Sequence, residues 1–400
     1  MKLSKNAALY LQASMIVSFL AGSSALTPLY ATYQAAWGFT AITTTVIFGI
    51  YAVAVLAALL VTGSLSDFVG RRPVLIVATA LQVVAMFIFA FAGSVGALLL
   101  GRVVQGLATG AAAGAIGAGM LDLDRSRGTT ANAIGPMLGT ATGGILSGLF
   151  VQYLPAPTHL VYLALAGVFA AQAIGVVAMP ETAALKAGAL ASLRPVLRLP
   201  AQVRGAMGIA IPALIASWAL VGFYGSLGPA LVRQLLGTGA PVLGGLTLFV
   251  LATSGAVTVL VNRDRPPRTM LLGGTAGLAV GVAFTLLAMS TGWVPAFFLG
   301  ALIAGGGFGA AFQGAVRSVI PLAHADERAG VLSLLYVVAY LSMGLPAVLG
   351  GLRFVYGGNG VLVTAREYGL VVILLAMLAA AGTLLRGERR SAAAPAIAAD

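Results

Sequence analysis

Apolar residues run along this chain in stretches of about twenty, separated by short clusters of glycine, proline and charge. The stretches lie near 9–30, 40–62, 73–93, 96–120, 130–153 and 160–180, then near 206–232, 241–261, 269–289, 292–320, 329–352 and 366–386. A helix needs about twenty apolar residues to cross the hydrocarbon core of a bilayer, so the pattern predicts an all-α membrane protein of twelve transmembrane helices. The longest polar connection, Glu181 to Arg204, carries four basic residues and two prolines. It divides the chain into two six-helix bundles, 1–180 and 205–388, joined by a linker at 181–204 and followed by a flexible tail at 389–400. The halves echo each other. Arg127-Gly128 opens the fifth span with Gly148 near its far end, and Arg328-Ala329-Gly330 opens the eleventh with Gly350 at nearly the same distance. Weak internal duplication of this kind is expected of a repeat-built transporter.

Composition narrows the class. Apolar residues make up 60% of the 400 and charged residues 8%, with a mean hydropathy of +1.03, far from the roughly quarter-charged make-up of soluble domains. The formal charge of +12 does not point to nucleic acid, because the basic residues are scattered between apolar runs instead of gathered on one face. An even number of spans puts both termini on one side, and 18 of the 22 basic residues fall on that side or at the helix ends facing it. Positive residues are retained in the cytoplasm, so both termini are expected there, in a multi-pass protein of the cell inner membrane. Lys2 and Lys5 precede an apolar stretch from Ala7 to Tyr30 that is longer than a signal-peptide core, which makes it the first helix. The sequence has no cysteine, which excludes disulfides, thiolate metal sites and a cysteine nucleophile.

The turn after the second span reads Gly63-Ser64-Leu65-Ser66-Asp67-Phe68-Val69-Gly70-Arg71-Arg72-Pro73. Gly63 and Gly70 permit unusual backbone angles, and Pro73 suits the first turn of a helix. Asp67 can pair with the arginines or accept bonds from free amides at the start of a neighbouring helix. This turn resembles the signature of the major facilitator superfamily, Gly-x-x-x-Asp-x-x-Gly-Arg-Arg. A second signature of that family, Arg-x-x-Gln-Gly in helix 4, is matched by Arg102-Val103-Val104-Gln105-Gly106. Arg102 lies about six residues inside its span, roughly 9 Å at 1.5 Å per residue. A guanidinium at the centre of a membrane helix costs about 2.5–3.5 kcal/mol on insertion scales, so it needs water, carbonyls or an anion, or must snorkel outward.

Gly106, Gly110 and Gly114 on helix 4, and Gly135, Gly139 and Gly143 on helix 5, are spaced by four and form small faces for close helix packing. Gly135-Pro136 is similar to the helix-5 signature of drug–proton antiporters in the superfamily, from which Thr140 to Gly144 depart. Pro180-Glu181-Thr182 resembles a short motif that closes helix 6 in several branches. The resemblance places the chain beside the twelve-helix bacterial drug and metabolite efflux branch and implies alternating access. In that scheme Asp67 meets the N-terminus of helix 11 near Ala329 and Gly330, while Arg71 pairs with Asp122 or Asp124.

Coupling is less direct, because none of the ten acids falls deep in a span. Two readings stand: the resemblance implies that protons couple through Arg102, with Gln105 beside it, and the cytoplasmic acids, or Arg102 binds an anionic group of the substrate. Substrate contact is expected from polar and aromatic residues in the spans that the resemblance implies line the cavity, namely Gln105, Trp218, Tyr224, Gln313, Tyr336 and Tyr340, with Asn132 as an outlying candidate; aromatic walls with few polar groups suit a modestly apolar ligand. His159 and His324 fall in loops, and no metal or cofactor is expected. An enzyme would need a positioned acid, base or nucleophile, and no such grouping is visible. The expected partners are a small-molecule substrate, protons and membrane lipid, with no nucleic acid, in a monomer. Export of a drug-like or metabolite substrate leads, ahead of uptake or facilitated diffusion of a sugar or anionic metabolite; a channel or receptor fits the duplicated layout less well.

Overall fold

The computed structural model describes residues 2–237, 241–324, 327–356 and 360–393. Asp326, Asp400 and the side chain of Glu388, three of the ten acids, lie outside what is described, as does the expected tail from residue 394. Among the described residues twelve long helices follow one another: α1 (Lys5–Trp37), α2 (Ala41–Thr62), α3 (Arg71–Ala90), α4 (Val95–Leu123), α5 (Arg125–Tyr153), α6 (Pro157–Ala178), α7 (Ala201–Ser226), α8 (Pro241–Val261), α9 (Pro267–Thr291), α10 (Val294–Val319), α11 (Arg328–Tyr356) and α12 (Gly360–Ala393). Each contains a stretch long and apolar enough to cross a membrane, making this a multi-pass integral membrane protein.

The ends are set by local chemistry that hydropathy does not register. Ser4 Oγ accepts from Ala7 N at 3.2 Å and starts α1 four residues before its apolar run. Gly38, at φ 67°, stops it after Trp37. A single residue, Asp124, joins α4 to α5. Its carboxylate accepts from Arg127 N at 2.9 Å, so α5 begins at Arg125 rather than near 130. The seventh span, expected to be continuous over 206–232, breaks at Leu227, and a short helix (Gly228–Leu236) resumes with Pro229 in its first turn, where no amide is needed. The last helix continues to Ala393, past the expected start of the tail at 389.

Packing falls into two bundles with the same internal pairing. In the first, α1 packs on α4, α5 and α6, α2 on α4, and α3 on α4 and α6; in the second, α7 packs on α10, α11 and α12, α8 on α10, and α9 on α10 and α12. The second set is the first advanced by six, which is the pseudo-symmetry expected of a duplicated carrier. Lipid gives helices little hydrophobic reason to associate, so close backbone approach does that work. A β-carbon at Gly106 or Gly110 would strike α2 at Tyr51 O or Val55 O, and one at Gly305 or Gly309 would strike α8 at Leu251 O or Gly255 O. Gly135, Gly139 and Gly143 lie in the same way on Ile16, Val17 O and Ala21 O of α1, and Ser147 Oγ donates to Ala25 O at 2.5 Å.

Between bundles the main contacts are α2 with α11 and α5 with α8, a pair exchanged by the same pseudo-symmetry. Their tightest points are Gly351 against Thr45, Gly49 against Val348, Gly144 against Gly245 and Gly148 against Val242. All lie toward the ends of α2, α5, α8 and α11 that are farthest from the Gly63–Pro73 turn.

Candidate functional site

The Gly63–Pro73 turn is held by charge and by a cap from a distant segment. A short helix, Ser66–Val69, carries Asp67, which forms an ion pair with Arg71. The Arg71 side chain is 8% exposed. It also donates to Ser66 Oγ at 2.7 Å and to Asp122 Oδ2 at 3.2 Å, and Thr182 Oγ1 donates to the same Asp122 oxygen at 3.0 Å. Asp122 is therefore the acid that meets Arg71, while Asp124 is spent on capping α5 and pairing with Arg127. The carboxylate that caps α3 is Glu181, which accepts from Arg71 N at 2.8 Å and Arg72 N at 3.0 Å. Burial pulls its carboxyl upward, but the amides of Ala183, Arg71, Arg72 and Thr182 outweigh burial and leave it below the usual carboxylate range. Arg72 Nη2 donates to Val177 O at 2.5 Å and pins the end of α6 to the same turn.

Asp67 does not reach the N-terminus of α11. Its described partner is Arg71 within its own turn, and Gly330 O instead accepts from Arg198 N of the linker at 3.5 Å. The reason is the placement of the inter-bundle contacts, which close the opposite ends of α2 and α11.

Arg102 is neither exposed to lipid nor open to solvent. It is 1% exposed inside the first bundle. Nη1 donates to Ser23 O and to Gln105 Oε1, both at 2.8 Å, and Nη2 donates to Tyr30 OH at 3.0 Å. The guanidinium also stacks over the Tyr51 ring at 5.1 Å. Charge-assisted bonds contribute about 1.5–3 kcal/mol each, enough in sum to offset its insertion cost. The arrangement ties α4 to α1 and α2 with no carboxylate among its described partners.

Beyond Tyr51 the side chains belong to both bundles. Tyr51, Ala52 and Val55 of α2 pack with Met343 of α11, and Phe48, Trp218 and Tyr340 pack against that group. Trp218 lies 5.1 Å from the Tyr340 ring and 5.6 Å from Phe312, and Tyr336 stands 6.3 Å from Tyr340. Trp218 Nε1 is buried with no hydrogen-bond partner among the described residues. Gln313, half-buried, adjoins Phe312 on α10. Tyr224 and Asn132 sit apart from this wall. Tyr224 is fully buried in the second bundle, sharing a 2.6 Å hydrogen bond with Thr285, and Asn132 donates to Gly117 O at 3.0 Å, joining α5 to α4.

Tyr30 and Tyr51 were not singled out in the sequence, and Ser66 and Thr182 stood in quoted motifs with no role assigned. Their roles depend on the register between helices, which spacing along one helix does not reveal. Glu181 stood in a visible motif, but its partner lies 110 residues away.

Residues 13–264 match the description "Major Facilitator Superfamily". The "Probable metabolite transport protein CsbC" of Bacillus subtilis is 26% identical over 290 residues, covering 60% of this chain and 62% of that one. "Citrate exporter 1" of Aspergillus niger is 37% identical over 125 residues, 30% of this chain and 24% of the other. The chain thus spans less than two thirds of the length of either curated relative. Among solved structures, a bacterial homologue of the human lysosomal transporter Spinster, in an inward-facing and unoccupied conformation, has a TM-score of 0.77 at 12% identity, covering 96% of this chain and 98% of that one. The human organic anion transporter MFSD10 has a TM-score of 0.67 at 16% identity, over 94% of this chain and all of that one.

Proposed function

The chain belongs to the Major Facilitator Superfamily, and from that membership we propose that it is a secondary active transporter that exports a small organic metabolite by alternating access. The observation that carries the reading is the wall of Trp218, Phe312, Tyr336 and Tyr340, which meets α2 just inside the closed contact of Thr45, Gly49, Gly344 and Gly351. A site near mid-membrane, bounded on one side by closed helices, is the arrangement alternating access requires. The wall suits a modestly apolar molecule, and Trp218 Nε1, buried here without a partner among the described residues, is a donor that a shift of the ring would turn to it. Export is supported by the similarity to a citrate exporter and by Gly135-Pro136. Because basic residues crowd the Asp67 end, we place that end and both termini in the cytoplasm of a cell inner membrane, with the monomer as the working unit.

We assign coupling to protons through the Asp67 end. Asp67 and Asp122 share the one buried guanidinium of Arg71, so this turn gathers two acids on a single cation at the end that must open and close. Closing this end would bring Asp67 to the N-terminus of α11, an exchange of partners that a rocking motion permits. Direct binding of an anionic substrate by Arg102 has less support, since both terminal nitrogens of its guanidinium are engaged by Ser23, Gln105 and Tyr30. The test is counter-flow of a metabolite panel in liposomes with and without an imposed pH gradient. Saturable uptake stimulated by the gradient supports the reading. Saturable flux indifferent to it removes proton coupling, and linear, unsaturable flux removes the carrier.

A further inference from the structure

The second bundle carries a groove of about 750 Å³ that has no part in the aromatic wall. It runs between α8 and α9 with α10 as its floor. Its α8 side is formed by Phe249, Thr253 and Val257, and its α10 side by residues such as Gly306 and Ala310. Phe308 and Phe312, which face Trp218, are offset from Gly306 and Ala310 by two residues, about 200° around the helix. Phe249, Val257 and Leu302 are exposed along it, so in a membrane the trough opens to lipid. From Phe249 to Asn262 it extends about 20 Å, roughly two thirds of the about 30 Å hydrocarbon core. That is long enough to take the acyl chain of a lipid in one leaflet. Gly273 and Gly277 of α9 give it width.

The mouth differs from the trough. Asn262, Arg265 and Thr269 line it, in a turn that also holds Arg263, Asp264 and Arg268. Arg263 pairs with Asp264, and Arg317 is engaged by Arg263 O and Met270 Sδ. Arg265 and Arg268 are exposed and have no acidic partner among the described residues. A long apolar trough beneath two unneutralised guanidinium groups fits the shape and complements the charge of a phospholipid with an anionic head. Basic pockets between membrane helices recognise such head groups.

We propose that this groove binds one anionic phospholipid, with its phosphate at Arg265 and Arg268 and an acyl chain lying along Gly273, Gly277 and Gly306. The full chain in detergent would be titrated with phosphatidylglycerol or phosphatidylcholine of matched acyl chains and read by native mass spectrometry. Phosphatidylglycerol is expected to bind more tightly. Replacing both arginines (R265A/R268A) removes about five-fold in affinity for each, and brings phosphatidylglycerol close to phosphatidylcholine. Gly273→Phe fills the trough from a position where a β-carbon meets nothing within 4 Å, and lowers binding of both lipids. Equal binding of the two lipids by the unaltered chain, or unchanged phosphatidylglycerol binding in R265A/R268A, would overturn the head-group assignment. Unchanged binding in Gly273→Phe would overturn the acyl-chain assignment, and displacement of the lipid by millimolar inorganic phosphate would mean a free-anion site instead.

Discussion

Gly70 is the position at which one methyl group has the most to disturb. Its backbone, at φ 95° and ψ 155°, lies in a region open essentially to glycine, so alanine costs about 1–3 kcal/mol there. The added carbon would also sit 2.6 Å from Glu181 Oε2, forcing the carboxylate off the amides of Arg71 and Arg72. Loss of a helix cap costs about 0.5–2 kcal/mol. Gly70→Ala should therefore destabilise the protein by about 1.5–5 kcal/mol, and Glu181→Ala by the smaller, capping share alone. Since the first change already displaces the cap, the two effects should not add. Unfolding of the two single variants and the double variant in mixed micelles, titrated with a denaturing detergent, gives the cycle. A coupling of about 1 kcal/mol is expected, with the double variant less destabilised than the sum. Full additivity, or a Gly70→Ala variant within 0.5 kcal/mol of the parent, would refute the reasoning, because the first denies the shared cap and the second denies the strain.

Three further outcomes follow from the same geometry. Glu181 has its folded-state carboxyl depressed, so its contribution is present above the unfolded value of about 4.3 and is lost as pH falls through the folded value; the stability gap between the parent and Glu181→Gln, measured by unfolding across pH, should shrink on acidification and not grow. Arg102→Ala leaves Gln105 Oε1 and Tyr30 OH buried without their donor and should cost about 2–5 kcal/mol, whereas Arg102→Lys, which keeps the charge and one or two of the bonds, should cost less in the same unfolding assay. Trp218→Ala removes ring contacts with Phe308, Phe312 and Tyr340, and should weaken substrate binding by about ten-fold, read from the half-saturation concentration in counter-flow, with the protein still inserted.

The twelve helices and the division into bundles were legible in the sequence because bilayer thickness imposes a length that hydropathy reports directly. The Arg71–Asp122 pair was legible in part, since it joins two turns on the same side of one bundle. Side-chain capping was not: Ser4 and Asp124 move helix starts by several residues without altering the apolar pattern. The break at Leu227 was hidden for the same reason, because the residues on both sides of it are apolar. Its type and its place in a span that the family resemblance gives to the cavity make Tyr224 a candidate for substrate contact. Its helix turns it instead toward Thr285 in the bundle interior. The depth of Arg102 in its span makes it costly, but its relief comes from Ser23 and Tyr30 on α1, more than seventy residues upstream.

A reversible lock on the closed end tests the alternating motion itself. A β-carbon at Gly49 would lie 3.0 Å from Val348 Cγ2 across the α2–α11 contact, close enough for a disulfide, and the chain has no cysteine of its own to interfere. With Gly49→Cys and Val348→Cys introduced together, counter-flow in liposomes should be lost on oxidation and return on reduction. Transport that continues unchanged with the disulfide formed would contradict a mechanism in which these two bundles must part at that end.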